Sequence, residues 1–179
     1  MPRFVAFLRG INVGGHIVKK EQLLEAFAAL GFDDAKTYKQ SGNVIFEVSN
    51  ADTEEIKVKI EQNLKFTLGF DVTVFIRTIE QLKTIVDSQP FKNQSKQGTS
   101  FLVTLLQTSL QAFPLLLPLT IPKSTAQIIG FEGSEVFSVT HGGGEGALPN
   151  PFVESRLKAK ATTRNINVIC AVVKKYSVD

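Results

Sequence analysis

The chain has 179 residues, 43% hydrophobic and 21% charged, with a formal net charge of +3 and a pI near 9.0. That composition excludes disorder and suits one large domain or two small ones. The positive balance allows an acidic partner but falls short of a dedicated nucleic-acid binder, since only five of the 20 basic residues are arginine.

In chain order, Arg3–Leu8 predicts a strand by its length and its Phe/Val content. It is apolar on both faces, so it should be central and covered on both sides. A helix is expected over Lys20–Leu30, with Leu23, Phe27 and Leu30 on one stripe. Gly31 supplies a left-handed residue after it, and Phe32 can fold back onto its last turn. Thr37–Gln40 and Val44–Val48 form a hairpin around Ser41-Gly42-Asn43. Asn50 or Asp52 caps a second helix, striped by Ile56, Ile60 and Leu64 and stopped by Leu68-Gly69-Phe70. Asp71–Arg77 is the next strand. Strand, helix, strand, strand, helix, strand is the split βαβ order of ferredoxin-like domains. Thr78–Asp87 is a third helix with Thr78 and Gln81 in capping-box spacing, and the polar stretch 91–98 serves as a linker.

A second unit opens with the two-sided apolar strand Ser100–Leu106. Thr108–Leu117 starts as a helix and is interrupted by Pro114 and Pro118. Ala126–Gly130 and Glu135–Val139 form a second hairpin. Its segment GSEVFSV (Gly133–Val139) aligns with GNVIFEV (Gly42–Val48) at the same step of the element order, which points to a degenerate tandem duplication. A helix near Pro151–Lys158 follows the glycine run His141–Gly146. Ala161–Asn165 then leads directly into a last helix, Asn165–Lys175. The expected fold is α+β, with two ferredoxin-like units in tandem and mostly antiparallel sheets. The first spans residues 1–90 with an extra helix at 78–88, the linker 91–98, and the second, degenerate unit with its C-terminal helix 99–179.

Cys170, the sole cysteine, lies among Ile169, Ala171 and Val172 and reads as a small core residue. No intrachain disulfide is possible, which fits a reducing, cytoplasmic location. Phe4–Leu8 is too short for a secretory signal. The apolar stretch Phe101–Ile121 is broken by Gln107, Gln111, Pro114 and Pro118 and is not a membrane span.

The segment RGINVGG (Arg9–Gly15) follows the first strand. It matches neither the P-loop, because His16-Ile17 stands where Lys-Ser or Lys-Thr is needed, nor the dinucleotide fingerprint. A strand, a glycine loop and a helix in succession still present backbone N–H groups that suit an anion. In a split βαβ unit the turn after the second strand returns to the sheet edge of the loop after the first. Ser41-Gly42-Asn43 should therefore neighbour Arg9–Gly15. Arg9, Asn12, Gly14, Gly15, Ser41 and Asn43 then form one candidate ligand site; the competing reading is a hydrogen-bond network that only fixes two loops. Thr163 and Arg164, just ahead of the last helix, are a second candidate phosphate contact, against ordinary capping. His141 lacks a motif-spaced Ser, Cys or Asp for nucleophilic catalysis, and two histidines with Cys170 have no metal-ligand spacing. No metal and no cofactor are recognisable. RNA stacking on the first unit's sheet would need Phe4, Phe7 and Phe46 exposed. It is not expected, because the first strand is apolar on both faces.

The stretches FVAFLRGINVGG (Phe4–Gly15), YKQSGNVIF (Tyr38–Phe46) and ATTRN (Ala161–Asn165) give the chain a specific resemblance. It resembles the domain of unknown function 1697 family, a bacterial family with no established activity. The resemblance spans almost the whole chain and implies two ferredoxin-like α+β halves and no assigned chemistry. In the family a tryptophan usually follows the last Arg-Asn pair, where this chain has Ile166. The family's glycine-rich loop often carries an arginine, a serine and a lysine, where this chain has Glu145, Gly146 and Ala147. The leading functional expectation is binding of a small anionic ligand, phosphorylated or nucleotide-like. A protein- or nucleic-acid-binding module using Lys-rich helix faces, or an enzyme of unassigned chemistry, are the alternatives.

Overall fold

The apolar runs of the sequence become two antiparallel sheets, each with helices packed on it. The structure is a computed structural model and describes residues 1–39, 42–49, 52–142 and 148–177. The fold is α+β, with five helices among the described residues. The chain divides into two compact units, Met1–Gln81 with Tyr176–Asp179, and Leu82–Lys175. No helix among the described residues is long and apolar enough to cross a membrane.

The first unit contains β1 (Arg3–Arg9), α1 (Lys20–Ala28), β2 (Lys36–Thr37), β3 (Asn43–Glu47), α2 (Thr53–Leu68) and β4 (Thr73–Thr78). Its sheet order is β2-β3-β1-β4, with every pair antiparallel. Strand alternation sends Phe4, Ala6 and Leu8 to one face with Val44, Phe46, Val74 and Ile76. Leu23 and Phe27 of α1 and Ile56, Ile60 and Leu64 of α2 pack on that face. The Phe46 ring is the hub, 5.7 Å from Phe4, 5.6 Å from Phe27 and 4.8 Å from Phe32. Burying each such ring is worth about 1.5–3 kcal/mol. Val5, Phe7, Ile45 and Phe75 point to the opposite face and are also buried, which is why β1 is apolar throughout.

The helix ends follow from local chemistry. α1 stops at Ala28, and Gly31 (φ +84°) turns the chain so that the Phe32 N–H bonds the Phe27 carbonyl at 3.1 Å. Asp52 caps α2, its Oδ1 accepting from the Glu54 N–H at 2.8 Å. Gly69 (φ +80°) closes α2 by donating to the Lys65 carbonyl. Thr78 and Gln81 make the reciprocal bonds of a capping box at the start of α3 (Ile79–Asp87).

The second unit contains β5 (Thr99–Leu106), β6 (Leu119–Thr120), β7 (Ala126–Glu132), β8 (Glu135–His141), α4 (Asn150–Leu157), β9 (Ala161–Asn165) and all but the last residue of α5 (Ile166–Tyr176). Its sheet order is β6-β7-β8-β5-β9. Two expectations need correction. Thr108–Leu117 is not helical: the Leu110 N–H is taken by the Gly133 carbonyl at 2.8 Å, and Leu110, Phe113 and Leu117 pack as an irregular strap on the core. Ala161–Asn165 is not a helix lead-in but an edge strand, paired with β5 from Leu106↔Ala161 to Leu102↔Asn165. Three of its five residues are small or β-branched (Ala161, Thr162, Thr163), which suits a strand.

Candidate functional site

The end of β1 and the β2–β3 turn meet at one edge of the first sheet. Phe7 pairs with Asn43, and the Leu8 N–H donates to the Gly42 carbonyl at 2.8 Å. Ser41 lies outside the described residues. Beyond Arg9 the chain takes positive φ at Gly10, Asn12, Gly14 and Gly15. The conformation at Asn12 (φ +56°) is one that asparagine tolerates and alanine does not.

Both candidate amides are committed within their own loops. Asn12 Oδ1 accepts from the N–H of buried Val18 at 2.9 Å, and its own N–H donates to the His16 carbonyl at 2.7 Å. Asn43 is buried; its Nδ2 donates to the Tyr38 carbonyl at 3.1 Å, and its carbonyl accepts from the Tyr38 N–H at 2.9 Å. The His16 ring sits edge-on to Phe70, with centroids 4.1 Å apart. Side chains therefore hold the loop's shape. What the loop offers outward is backbone: the N–H groups of Val13, Gly14 and Gly15 have no acceptor among the described residues, and all three residues are exposed. Arg9 is half-buried at the strand end ahead of them.

Thr163 and Arg164 belong to the second unit, on β9. Thr163 does not cap α5; Asn165 does, its Oδ1 accepting from the Asn167 N–H at 2.9 Å. Thr163 instead bonds the Thr104 hydroxyl across the strand pair at 2.9 Å. Arg164 Nη1 donates to Thr162 Oγ1 and to the Thr163 carbonyl, and desolvation pulls its pKa down to about 10. His141 ends β8, with Nδ1 3.2 Å from Thr99 Oγ1. Residues 143–147 of the glycine run lie outside the described residues. No three His, Cys, Asp or Glu side chains converge as metal ligands among the described residues. Phe4, Phe7 and Phe46 are all buried, so none of these rings is presented for stacking.

The amide side chains that the sequence singles out are committed within the fold, and the backbone N–H groups that the order of strand, glycine loop and helix suggests are left without an acceptor among the described residues. The signal for the N–H cluster was the glycine spacing itself. The strand character of Ala161–Asn165 was carried by its β-branched threonines.

The fold is shared with a solved structure, that of a conserved bacterial protein, SP0830, from Streptococcus pneumoniae. The two are 17% identical, with a TM-score of 0.70 over 98% of each chain. No curated protein matches the chain. Residues 1–137 match the family described as protein of unknown function, DUF1697, and with more than half of its length inside that match the chain belongs to that family.

Proposed function

We propose that the loop after β1 binds a small anion, phosphorylated or nucleotide-like. One observation carries this reading: Val13, Gly14 and Gly15 present three successive exposed N–H groups without an acceptor among the described residues. The sign of φ alternates across Asn12, Val13 and Gly14, the backbone pattern from which concave anion-binding nests are built. Arg9, four residues before Val13, adds positive charge at the strand end. Amide NMR during titration with inorganic phosphate and with AMP tests the reading. Val13, Gly14 and Gly15 should shift together and saturate, and Arg9→Ala should weaken the binding. Amides that stay unmoved throughout would sink it.

The two units are further read as degenerate ferredoxin-like repeats. The element order supports this. First strand, hairpin, helix and last strand recur as β1, β2–β3, α2, β4 and as β5, β7–β8, α4, β9, with sheet orders β2-β3-β1-β4 and β7-β8-β5-β9. Between first strand and hairpin the first unit has α1, whereas the second has the irregular strap and β6.

A further inference from the structure

The loop after β1 exposes apolar side chains beside its outward N–H groups. Every residue from 12 to 17 is exposed, while Ile11 and Val18 on either side are buried. The bond from the Asn12 N–H to the His16 carbonyl and the bond from the Val18 N–H to Asn12 Oδ1 close the loop at its base. The loop therefore stands out from the unit as a knuckle. On it Ile17 is 82% exposed and Val13 60%. A knuckle enters a surface; it does not enclose a ligand. Exposed aliphatic surface beside polar groups marks a place that a partner covers.

The same end of the unit carries an exposed ring. Phe66, in the last turn of α2, is 90% exposed, away from the buried stripe of Ile56, Ile60 and Leu64. Arg9 is opposite Thr73 in the antiparallel pair of β1 and β4, so α2, which leads into β4, ends beside the loop. The His16 ring, 4.1 Å from that of Phe70, ties the loop to the chain leaving α2. The charge around these apolar tips is mainly positive. Lys19 and Lys20 are exposed and pair with no carboxylate among the described residues, and Arg9 stands at the strand end. Of the acids nearby, Asp71 is taken by Lys65 at 2.9 Å, and Glu21 lies in the first turn of α1. N–H groups suited to phosphate, cations and apolar tips together match phosphates laid over an apolar phase. An anionic bilayer has that chemistry.

We propose that this end of the first unit docks reversibly on an anionic phospholipid bilayer. Ile17, Val13 and Phe66 enter the boundary between headgroups and acyl chains, Lys19, Lys20 and Arg9 face the anionic surface, and the Val13–Gly15 N–H groups meet headgroup phosphates. That last contact rests on the anion reading of the loop. The test is cosedimentation of the full chain with vesicles of equal parts phosphatidylglycerol and phosphatidylcholine, beside the titration with inorganic phosphate. The chain should sediment with the mixed vesicles, stay in solution with phosphatidylcholine alone, and be released by added salt. Ile17→Ser and Phe66→Gln, both at exposed positions, should each weaken partition by about tenfold with an unchanged circular dichroism spectrum. Replacing Lys19 and Lys20 together by glutamate should remove binding. Absence of sedimentation would overturn the bilayer proposal, and the loop amides' response to inorganic phosphate would then decide the anion reading separately. Sedimentation with those amides unmoved by phosphate would overturn both, because the headgroup contact is then gone. Sedimentation that either apolar variant leaves unchanged, or that is as strong on phosphatidylcholine alone, would overturn the bilayer proposal.

Discussion

Asn12 is where scaffold and ligand readings of the first loop separate most sharply. Its Oδ1 is the acceptor for the Val18 N–H, and Val18 is buried. Asn12→Ala strands that N–H, which costs about 1–3 kcal/mol. It also forces alanine into φ +56°, adding about 1 kcal/mol. The expected total is about 2–4 kcal/mol. Asn12→Gly loses the same bond but relieves the backbone, so it should be milder by about 1 kcal/mol. Asn12→Asp keeps an acceptor and a residue that tolerates the left-handed region, so stability should barely change. The added negative charge should nevertheless weaken phosphate binding to the loop. Urea unfolding followed by circular dichroism gives the order, with a second probe to show whether the two units unfold together. An Asn12→Ala variant within about 0.5 kcal/mol of wild type, the range of an unremarkable surface change, would refute the scaffold role.

Further outcomes are expected elsewhere. Arg3 hydrogen-bonds Glu47 across the β1–β3 pair and holds its carboxyl below the ordinary value of 4.5. A depressed carboxyl stabilises the fold above its unfolded pKa and loses that contribution as pH falls through the folded one. Glu47→Gln should therefore lower the urea midpoint near neutral pH and converge with wild type well below pH 4.5; a pH-independent gap would contradict the pairing. Gly69→Ala, at φ +80° with open space around its Cβ, should cost about 1–2 kcal/mol from backbone strain alone, read in the same unfolding assay. Burial pushes the Cys170 thiol up, so alkylation by iodoacetamide at pH 8 should be slower in the native protein than in urea; equal rates would contradict that.

The first unit was largely legible because local chemistry and tertiary packing agree there. Asp52, Gly31, Gly69 and the Thr78–Gln81 pair each sit where a helix start or stop requires them. The second unit was harder. Leu110, Phe113 and Leu117 carry helix-like spacing, yet the prolines break the ladder and the Gly133 carbonyl claims the Leu110 N–H. Ala161–Asn165 precedes a helix and looks like its cap, but β5 has an unpaired edge that five β-compatible residues can fill. The gapless match between the hairpins is also misleading in detail. It aligns Phe46, which packs under α1 and α2, with Phe137, whose neighbour Val136 is the one on the α4 side. A one-residue offset in a strand reverses every side chain, so the repeat reading rests on element order and not on those matched letters.

The prominence of residues in the motifs tracks the demands of the backbone more than the demands of a ligand. A loop that runs through four left-handed residues and rejoins a sheet needs side chains that can occupy those angles and satisfy the N–H groups it strands. Asn12 does that work, Asn43 Nδ2 donates to the Tyr38 carbonyl beside it, and Arg164 likewise donates to its own strand. An N–H group can come from almost any residue. The groups proposed to meet an anion, the Val13–Gly15 amides, are advertised only by the glycine spacing of the loop. Deleting the conspicuous side chains will mostly report folding. Amide shifts at Val13–Gly15 address binding itself.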